Sequence, residues 1–110
     1  MTKDHISVNR GVWNADARNW IASGERLWAS DPQWGIWGLP ESELGLFPDS
    51  LDGLDAVELG CGTGYVSSWM EQRGARVTAL DLSSEQLSTA RRLAKQYSAQ
   101  ITFLEAKAEA

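Results

Sequence analysis

Strand-like and helix-like segments alternate through the second half of this chain, and that alternation restricts its fold more than any other feature. Right-handed crossovers between successive strands predict a parallel sheet with helices covering its faces, an α/β fold of the Rossmann-like class. The first strand is a short apolar run that ends in glycine, which is typical of a buried strand. The predicted order is β-α-β-α-β, with strands at DAVELG, ARVTALDL and ITFLEA and helices at GYVSSWMEQRG and SSEQLSTARRLAKQY.

Local signals mark the ends of the two predicted helices. Gly74 follows the first helix in the position where a glycine commonly stops one. Ser83 precedes the second helix, and Gln86 stands three residues after it, which is the spacing of a capping box. In that motif the serine hydroxyl and the glutamine side chain each satisfy one free backbone N–H of the first turn. Pattern, caps and lengths therefore agree on both helices.

A glycine-rich loop, VELGCGTGY at residues 57–65, follows the first predicted strand. Parallel sheets bind ligands at the carboxyl ends of their strands, where this loop lies. A dinucleotide fingerprint reads G-x-G-x-x-G/A, and its third position needs a small residue so that helix and strand can pack closely. Counting from Gly60, that position is Tyr65, and the spacing here is G-x-G-x-G. The loop therefore disfavours a nicotinamide or flavin dinucleotide.

An acidic residue at the end of the second strand adds to the predicted site. Asp81 lies 21 positions after Gly60, and a carboxylate at about that distance commonly binds both hydroxyls of a ribose. The alternative is that Asp81 complements the dipole of the helix that follows it. The helix starting near Gly64 has free N–H groups that suit a carboxylate or phosphate. Cys61 is interpreted as a small residue in a tight loop rather than a reactive thiol, since no basic residue is close in sequence.

Residues 1–54 form a tryptophan-rich leader, which we treat as a helical cap preceding the sheet of residues 55–110. Helical spacing of its apolar residues predicts a helix over about 12–29, weakened at its centre by Gly24. Prolines and glycines after it predict irregular structure with one short helix. The tryptophans suit either packing against the sheet or a lid over a ligand. Helical spacing favours packing for Trp13, Trp20 and Trp28. Trp34 and Trp37 are flanked by glycines in a loop, which favours contact with the acceptor or the cofactor.

Composition and charge exclude several classes of function. No apolar run approaches the roughly 20 residues of a membrane span, and no signal peptide opens the chain, so we expect a cytoplasmic protein. One cysteine and one histidine are too few for a Cys/His metal cluster or a nucleophile–base pair. The net charge is -5, and no lysine or arginine occurs between Arg26 and Arg73. Nucleic-acid binding is disfavoured, because it needs clustered positive charge.

The segments VELGCGTG, ALDLS and ITFLEAKAEA resemble, in order and spacing, the first half of a class I S-adenosylmethionine-dependent methyltransferase. They are most similar to the methyltransferase type 11 group, which includes the ubiquinone/menaquinone biosynthesis methyltransferases. By this resemblance the cofactor is S-adenosylmethionine: Glu58 orients the loop and the cofactor's ammonium, Asp81 binds the ribose hydroxyls, and Leu82 packs on the adenine. The implied cofactor contacts are Glu58, Gly60, Cys61, Gly62, Gly64, Asp81, Leu82 and Ala108.

One position departs from the pattern of the family. Related sequences often read GDA after the third strand, with the acid facing the adenine amino group and the alanine contributing a backbone N–H. Here the stretch is AKA, so Lys107 stands in place of the acid and Ala108 follows it. A lysine cannot accept a hydrogen bond from an amino group. The implied adenine contact is therefore the backbone at Ala108.

The chain reaches Ala110 just after its third predicted strand, whereas the family has seven strands in the order 3-2-1-4-5-7-6. We expect an N-terminal fragment with an unpaired edge on its first strand and weak or no activity. The leading hypothesis is the cofactor-binding half of a methyltransferase acting on an unidentified small-molecule acceptor. The alternatives are a dinucleotide-binding oxidoreductase domain and a non-catalytic interaction module. No catalytic residue is predicted.

Overall fold

The computed structural model describes residues 20–35 and 37–106. The leader contributes helix α1 over residues 20–29, a two-stranded antiparallel pair and one short helix. The pair and the short helix are β1 (Gln33–Trp34), β2 (Leu39–Pro40) and α2 (Glu41–Leu44). The short helix and the end of α1 confirm the predictions, whereas the pairing of β1 with β2 was not predicted. Positions 12–19 of the predicted first helix, Trp13 among them, lie outside the described residues.

The second half of the chain has the predicted β-α-β-α-β order. Its strands pair in parallel in the order β3-β4-β5. The elements are β3 (Asp55–Leu59), α3 (Tyr65–Gln72), β4 (Arg76–Asp81), α4 (Ser84–Gln96) and β5 (Ile101–Glu105). The predicted α/β fold with a helical leader is therefore confirmed.

The helices α3 and α4 lie on the same face of the sheet. Ala56, Val77 and Ile101 are neighbours across the three strands, and Met70 of α3 packs against their cluster. Leu93 of α4 packs with Ile101 as well. The prediction that helices cover both faces is therefore wrong for the described residues, because both crossovers run in the same direction along the sheet and return on one side.

The first strand of the parallel sheet is also more exposed than predicted. Val57 and Leu59 on β3 are 61% and 58% exposed, and Leu104 on β5 is 47% exposed. All three alternate with the residues that face the helices, so they line the opposite, uncovered face. β3 is therefore not a buried strand. Within the described residues it pairs with β4 alone, as expected for an edge.

Buried apolar side chains of the leader pack into the core of the sheet half. Trp28 of α1 is 3% exposed and packs in a cluster with Leu93 and Ala94 of α4. Leu51, which precedes β3, packs with Ala75 and Val77. The division at residue 54 stays a prediction, and the two parts share their core.

A buried carboxylate organises the middle of the leader. Glu41, 3% exposed, accepts hydrogen bonds from Trp34 Nε1 at 3.0 Å and from the backbone N–H groups of Leu46 and Phe47 at 2.8 Å. Burial raises the pKa of Glu41, but these bonds and the charge of Arg73, 3.7 Å away, outweigh it and hold the pKa below its usual value. The carboxylate thereby ties β1 and the chain after α2 to the end of α3.

Candidate functional site

The glycine loop connects β3 to α3 at the carboxyl end of the sheet, as the sequence predicts. Cys61 N donates to Leu80 O at 2.9 Å, which fixes the start of the loop to the neighbouring strand β4. Gly60 and Gly62 adopt positive φ values of 66° and 57°. A Cβ added at either position would meet no atom within 4 Å, so the backbone of both glycines faces open space. These two positions leave room for a ligand to approach the chain closely.

Gly64 has a different environment from the other two glycines. Its φ is 83°, and it precedes the first residue of α3. A Cβ at Gly64 would lie 3.2 Å from Phe103 Cε1 and 3.4 Å from the Ala90 Cβ. The missing side chain thus allows the loop to pack closely against α4 and β5. This is the close-packing role that a dinucleotide motif gives its third glycine, here placed one residue before Tyr65.

Asp81 holds the loop from the end of β4. Its Oδ2 accepts a hydrogen bond from Gly62 N at 2.7 Å, and its Oδ1 accepts one from Ser83 N at 2.8 Å. The second bond lies at the start of α4, which is the alternative role considered for this residue. A carboxylate has about four acceptor sites, so about two remain for a ligand. The sequence did not indicate that Asp81 also fastens the glycine loop.

Glu58 on β3 faces the helix side of the sheet and lies beneath the first turn of α3. Its Oε1 accepts hydrogen bonds from Ser67 N at 3.1 Å and from Ser67 Oγ at 2.6 Å. Burial raises the pKa of Glu58, Ser67 opposes that rise, and the charge of Asp81 adds to it. The helix N-terminus predicted to suit an anion therefore already holds a carboxylate of the chain itself.

Cys61 is buried in the loop, with 4% of its surface exposed. Burial, together with the charges of Glu58 and Asp81, raises the pKa of its thiol to about 12. A thiol of that pKa is protonated at neutral pH and is a poor nucleophile. The structure therefore supports the interpretation of Cys61 as a small residue in a tight space.

Helix α1 lies over the glycine loop. Trp28 Nε1 donates to Thr63 O at 2.7 Å, and the Trp28 ring stacks on Tyr97 with centroids 5.7 Å apart. A Cβ added at Gly24 would lie 2.6 Å from Thr63 Oγ1. Gly24 was expected only to weaken the helix, and the structure shows that it lets α1 approach the loop.

A cavity of about 180 Å³ lies between α1 and the loop. It is smaller than the roughly 300–1,000 Å³ of typical small-molecule pockets, so it suits one part of a ligand rather than the whole. No lysine or arginine lines it among the described residues. Its lining residues are Trp20, Ser23, Gly24, Leu27, Glu58, Gly60, Cys61, Gly62, Thr63, Tyr65 and Gln86.

The tryptophans are distributed differently from the prediction. Trp28 packs as predicted, but Trp20, also predicted to pack, is 49% exposed and lines the cavity. Trp34, predicted to contact a ligand, instead packs edge-on against Trp69 at 5.7 Å. Trp37 is 81% exposed and lies away from the cavity. Helical spacing places Trp20 and Trp28 on one face of α1 but does not say which reaches the core.

Of the predicted cofactor contacts, Glu58, Gly60, Cys61 and Gly62 meet at the cavity. Asp81 is joined to this group through Gly62, and Leu82 follows it at the half-buried start of the turn into α4. Ala108 and Lys107 lie outside the described residues. Sequence reasoning missed Thr63, Tyr65 and Gln86 as cavity residues, and for Gln86 the only signal was its capping-box spacing.

Among residues 20–35 and 37–106, no group of three or more His, Cys, Asp and Glu side chains is placed to hold a metal ion. None of the described helices is long and apolar enough to cross a membrane.

Comparison with known proteins decides the family. The family described as "Methyltransferase domain" matches residues 56–110, which is half of the 110 residues. The chain belongs to the methyltransferase domain family. The resemblance of VELGCGTG, ALDLS and ITFLEAKAEA to a methyltransferase is thereby confirmed at the level of the family.

Three known proteins illustrate how far the similarity of this methyltransferase domain extends. A ubiquinone biosynthesis O-methyltransferase of Idiomarina loihiensis is 33% identical over 101 residues, covering 88% of this chain and 42% of that protein. A malonyl-[acyl-carrier protein] O-methyltransferase of Pectobacterium atrosepticum is 49% identical over 51 residues, covering 46% and 20%. The magnesium protoporphyrin IX methyltransferase of Synechocystis, solved with S-adenosylmethionine, matches with a TM-score of 0.60 and 22% identity, covering 93% and 54%. That last similarity concerns the fold, and the chain spans less than half the length of the two curated relatives.

Proposed function

We propose that this chain forms the S-adenosylmethionine-binding half of a methyltransferase that acts on a small-molecule acceptor. One observation supports this most directly: Glu58 and the open backbone of Gly60 and Gly62 line one cavity, and Asp81 is hydrogen-bonded to the same loop. Quinone and porphyrin methyltransferases among the similar proteins support a small acceptor.

The residues of the site suit this cofactor chemically. S-adenosylmethionine carries a sulfonium and an ammonium but no phosphate, and the cavity has carboxylate and amide oxygens with no basic residue in its described lining. The cofactor supplies an electrophilic methyl group, and its sulfur leaves as a neutral thioether. Glu58 would bind near the ammonium, Asp81 would accept from the ribose hydroxyls, and Leu82 and the Ala108 backbone would contact the adenine.

The chain's own contribution to methyl transfer is positioning. Holding the reactants in line can lower the activation free energy by roughly 7–11 kcal/mol, and no acid–base group is needed for this effect. Asp81 fixes Gly62 and Ser67 fixes Glu58, so the loop is ordered by bonds from both sides. We propose that this ordering places the cofactor, and that the protein works in the cytoplasm without binding nucleic acid.

Calorimetric titration tests the proposal. We expect the chain to bind S-adenosylhomocysteine and S-adenosylmethionine and to show no binding of NAD or NADH. Asp81→Ala should weaken S-adenosylhomocysteine binding about tenfold or more, because a carboxylate that accepts from hydroxyls and from a backbone N–H is removed.

Asp55→Ala is the matched control for that variant. Asp55 begins β3 at the opposite end of the sheet, and its carboxylate is 76% exposed in an ion pair with Arg76. Its removal should leave binding unchanged. Binding of NAD in preference to S-adenosylhomocysteine would favour an oxidoreductase, and equal binding by wild type and Asp81→Ala would favour a non-catalytic module.

A further inference from the structure

A second cavity, of about 500 Å³, lies between α1 and the β1–β2 pair. Its volume falls within the roughly 300–1,000 Å³ of typical small-molecule sites, whereas the first cavity, between α1 and the glycine loop, has about 180 Å³. The second cavity is therefore large enough for a small organic molecule. The side chains that line it include Ser23, Arg26, Leu27, Gln33 and Tyr65.

The two cavities adjoin each other, because Ser23, Leu27 and Tyr65 line both of them. Tyr65 is the first residue of α3, and its ring packs edge-on against Trp69 with centroids 5.3 Å apart. Gly35, which also lines the second cavity, has a φ of 72°, and a Cβ added there would meet no atom within 4 Å. A molecule in the second cavity would thus lie beside a ligand of the glycine loop, as a methyl acceptor must.

Arg26 gives the second cavity a charge opposite to that of the first. Among the described residues that line the second cavity, Arg26 is the only lysine or arginine, whereas the first cavity has Glu58 and no basic residue. The neighbouring acid Glu25 pairs with Arg92 of α4 instead. Within the described part of the chain the exposed guanidinium of Arg26 has no hydrogen-bond or ion-pair partner, so its five N–H donors are available to a ligand.

We propose that the second cavity binds the methyl acceptor and that Arg26 binds a carboxylate of that acceptor. A guanidinium donates two parallel hydrogen bonds to the two oxygens of a carboxylate. One guanidinium balances one negative charge, and Glu58 in the adjoining cavity would repel a second, so a carboxylate fits better than a phosphate. Leu27 and the ring of Tyr65 supply apolar surface for the body of the acceptor. This assignment rests on the proposed function.

The test uses three probes that share one aromatic body: naphthoate, naphthamide and naphthyl phosphate. Each probe is titrated by ligand-observed NMR against the chain with S-adenosylhomocysteine present. We expect naphthoate to bind about tenfold more tightly than the neutral naphthamide, as for a charge-assisted pair, and more tightly than the phosphate. Arg26→Gln should lower the affinity for naphthoate to that for naphthamide and leave the calorimetric affinity for S-adenosylhomocysteine unchanged.

Arg76→Gln is the matched control, because it removes the same charge at the opposite end of the sheet. Arg76 begins β4, and its side chain is 76% exposed in the ion pair with Asp55. This variant should keep the preference for naphthoate. An equal loss of preference in Arg76→Gln and Arg26→Gln would overturn the assignment, since the overall charge of the chain would then explain the preference.

The assignment is also wrong if naphthoate does not bind, binds no better than naphthamide, or binds more weakly than the phosphate. Weaker binding of S-adenosylhomocysteine by Arg26→Gln would show that Arg26 contacts the cofactor, which contradicts the assignment as well. If wild type fails to bind S-adenosylhomocysteine, the proposed function itself is wrong. If wild type binds it and shows no preference for naphthoate, the assignment of the second cavity alone is wrong.

Discussion

At the scale of single residues, two carboxylates order the glycine loop before any ligand arrives. Asp81 accepts from Gly62 N, and Glu58 accepts from the first turn of α3 through Ser67. The two bonds join residues 19 and 9 positions apart, in different elements, so the loop is held between β4 and α3. Preorganisation of this kind reduces the entropy lost when a ligand binds.

Glu58 should make cofactor affinity depend on pH. Burial raises the pKa of Glu58 above the ordinary 4.5, so the unliganded fold favours the protonated carboxyl over the carboxylate. The stability that Glu58 contributes to the fold is therefore present below pH 4.5 and is lost as pH rises through the raised pKa. A cationic ligand favours the carboxylate instead. Affinity for S-adenosylmethionine should therefore increase as pH rises above about 4.5, with a proton released on binding, measurable by calorimetry in buffers of different ionisation enthalpy.

Glu58→Gln should remove this pH dependence and weaken binding at pH 7 about tenfold, as for a lost charge-assisted bond. The same variant should unfold at a slightly higher temperature without ligand, since glutamine can still accept from Ser67 and no buried charge remains. Glu43→Gln, exposed on α2, is the control and should behave as wild type. An unchanged pH slope in Glu58→Gln would show that another group titrates.

At the scale of elements, α1 is the part of the leader that forms the site. Its Gly24 and Trp28 contact Thr63 of the loop, and Glu25 pairs with Arg92 of α4 at 3.2 Å. The ion pair is half-exposed on both sides and contributes little. The packing of Trp28 therefore holds α1 over the cavity.

Gly24→Ala tests the contact between α1 and the loop. At an exposed position inside a helix, replacing glycine with alanine raises the free energy of unfolding by about 0.8–1 kcal/mol. At position 24 the new Cβ would overlap Thr63, and overpacking commonly lowers the free energy of unfolding by about 1–3 kcal/mol. We expect a net loss of roughly 1 kcal/mol in the free energy of unfolding, measured in urea. Arg26→Ala, exposed on the same helix, should stay within about 0.5 kcal/mol of wild type. A gain in stability for Gly24→Ala would mean that α1 does not pack on the loop.

At the scale of the whole molecule, the helices among residues 20–35 and 37–106 cover one side of the parallel sheet and leave the other side exposed. Val57, Leu59 and Leu104 form an apolar surface on the other side, next to the edge of β3 that no described strand pairs with. Exposed apolar surfaces and open edges favour pairing with another chain. We expect the described fold to self-associate through this face.

Val57→Lys should reduce that association without changing the fold, because the side chain is 61% exposed. Sedimentation measured over a range of protein concentrations should show larger species for wild type than for the variant. Gln96→Lys adds the same charge on α4, on the covered side of the sheet, and should associate like wild type. A wild-type chain that stays monomeric throughout would contradict this expectation.

The local pattern of the sequence predicted the elements of this protein well, and also the place where the site forms. Apolar periodicity and caps located α3, α4 and the three parallel strands, because these depend on neighbours within a few residues. The glycine spacing and Asp81 located the loop, because strand ends in a parallel sheet lie together. The sequence alone thus determined the methyltransferase-like α/β order.

The tertiary structure decided which polar side-chain atoms are left without a partner and which face of the parallel sheet the helices cover. Gln86 lost its place in the helix cap because Asp81 took the same N–H, and that competition joins residues of different elements. Likewise, only the tertiary structure brings Gly24 against Thr63, and in the described part of the chain it leaves one face of the sheet uncovered. Hydrogen bonds and burial between distant segments have no signature in local periodicity, since they depend on where the whole chain places each side chain.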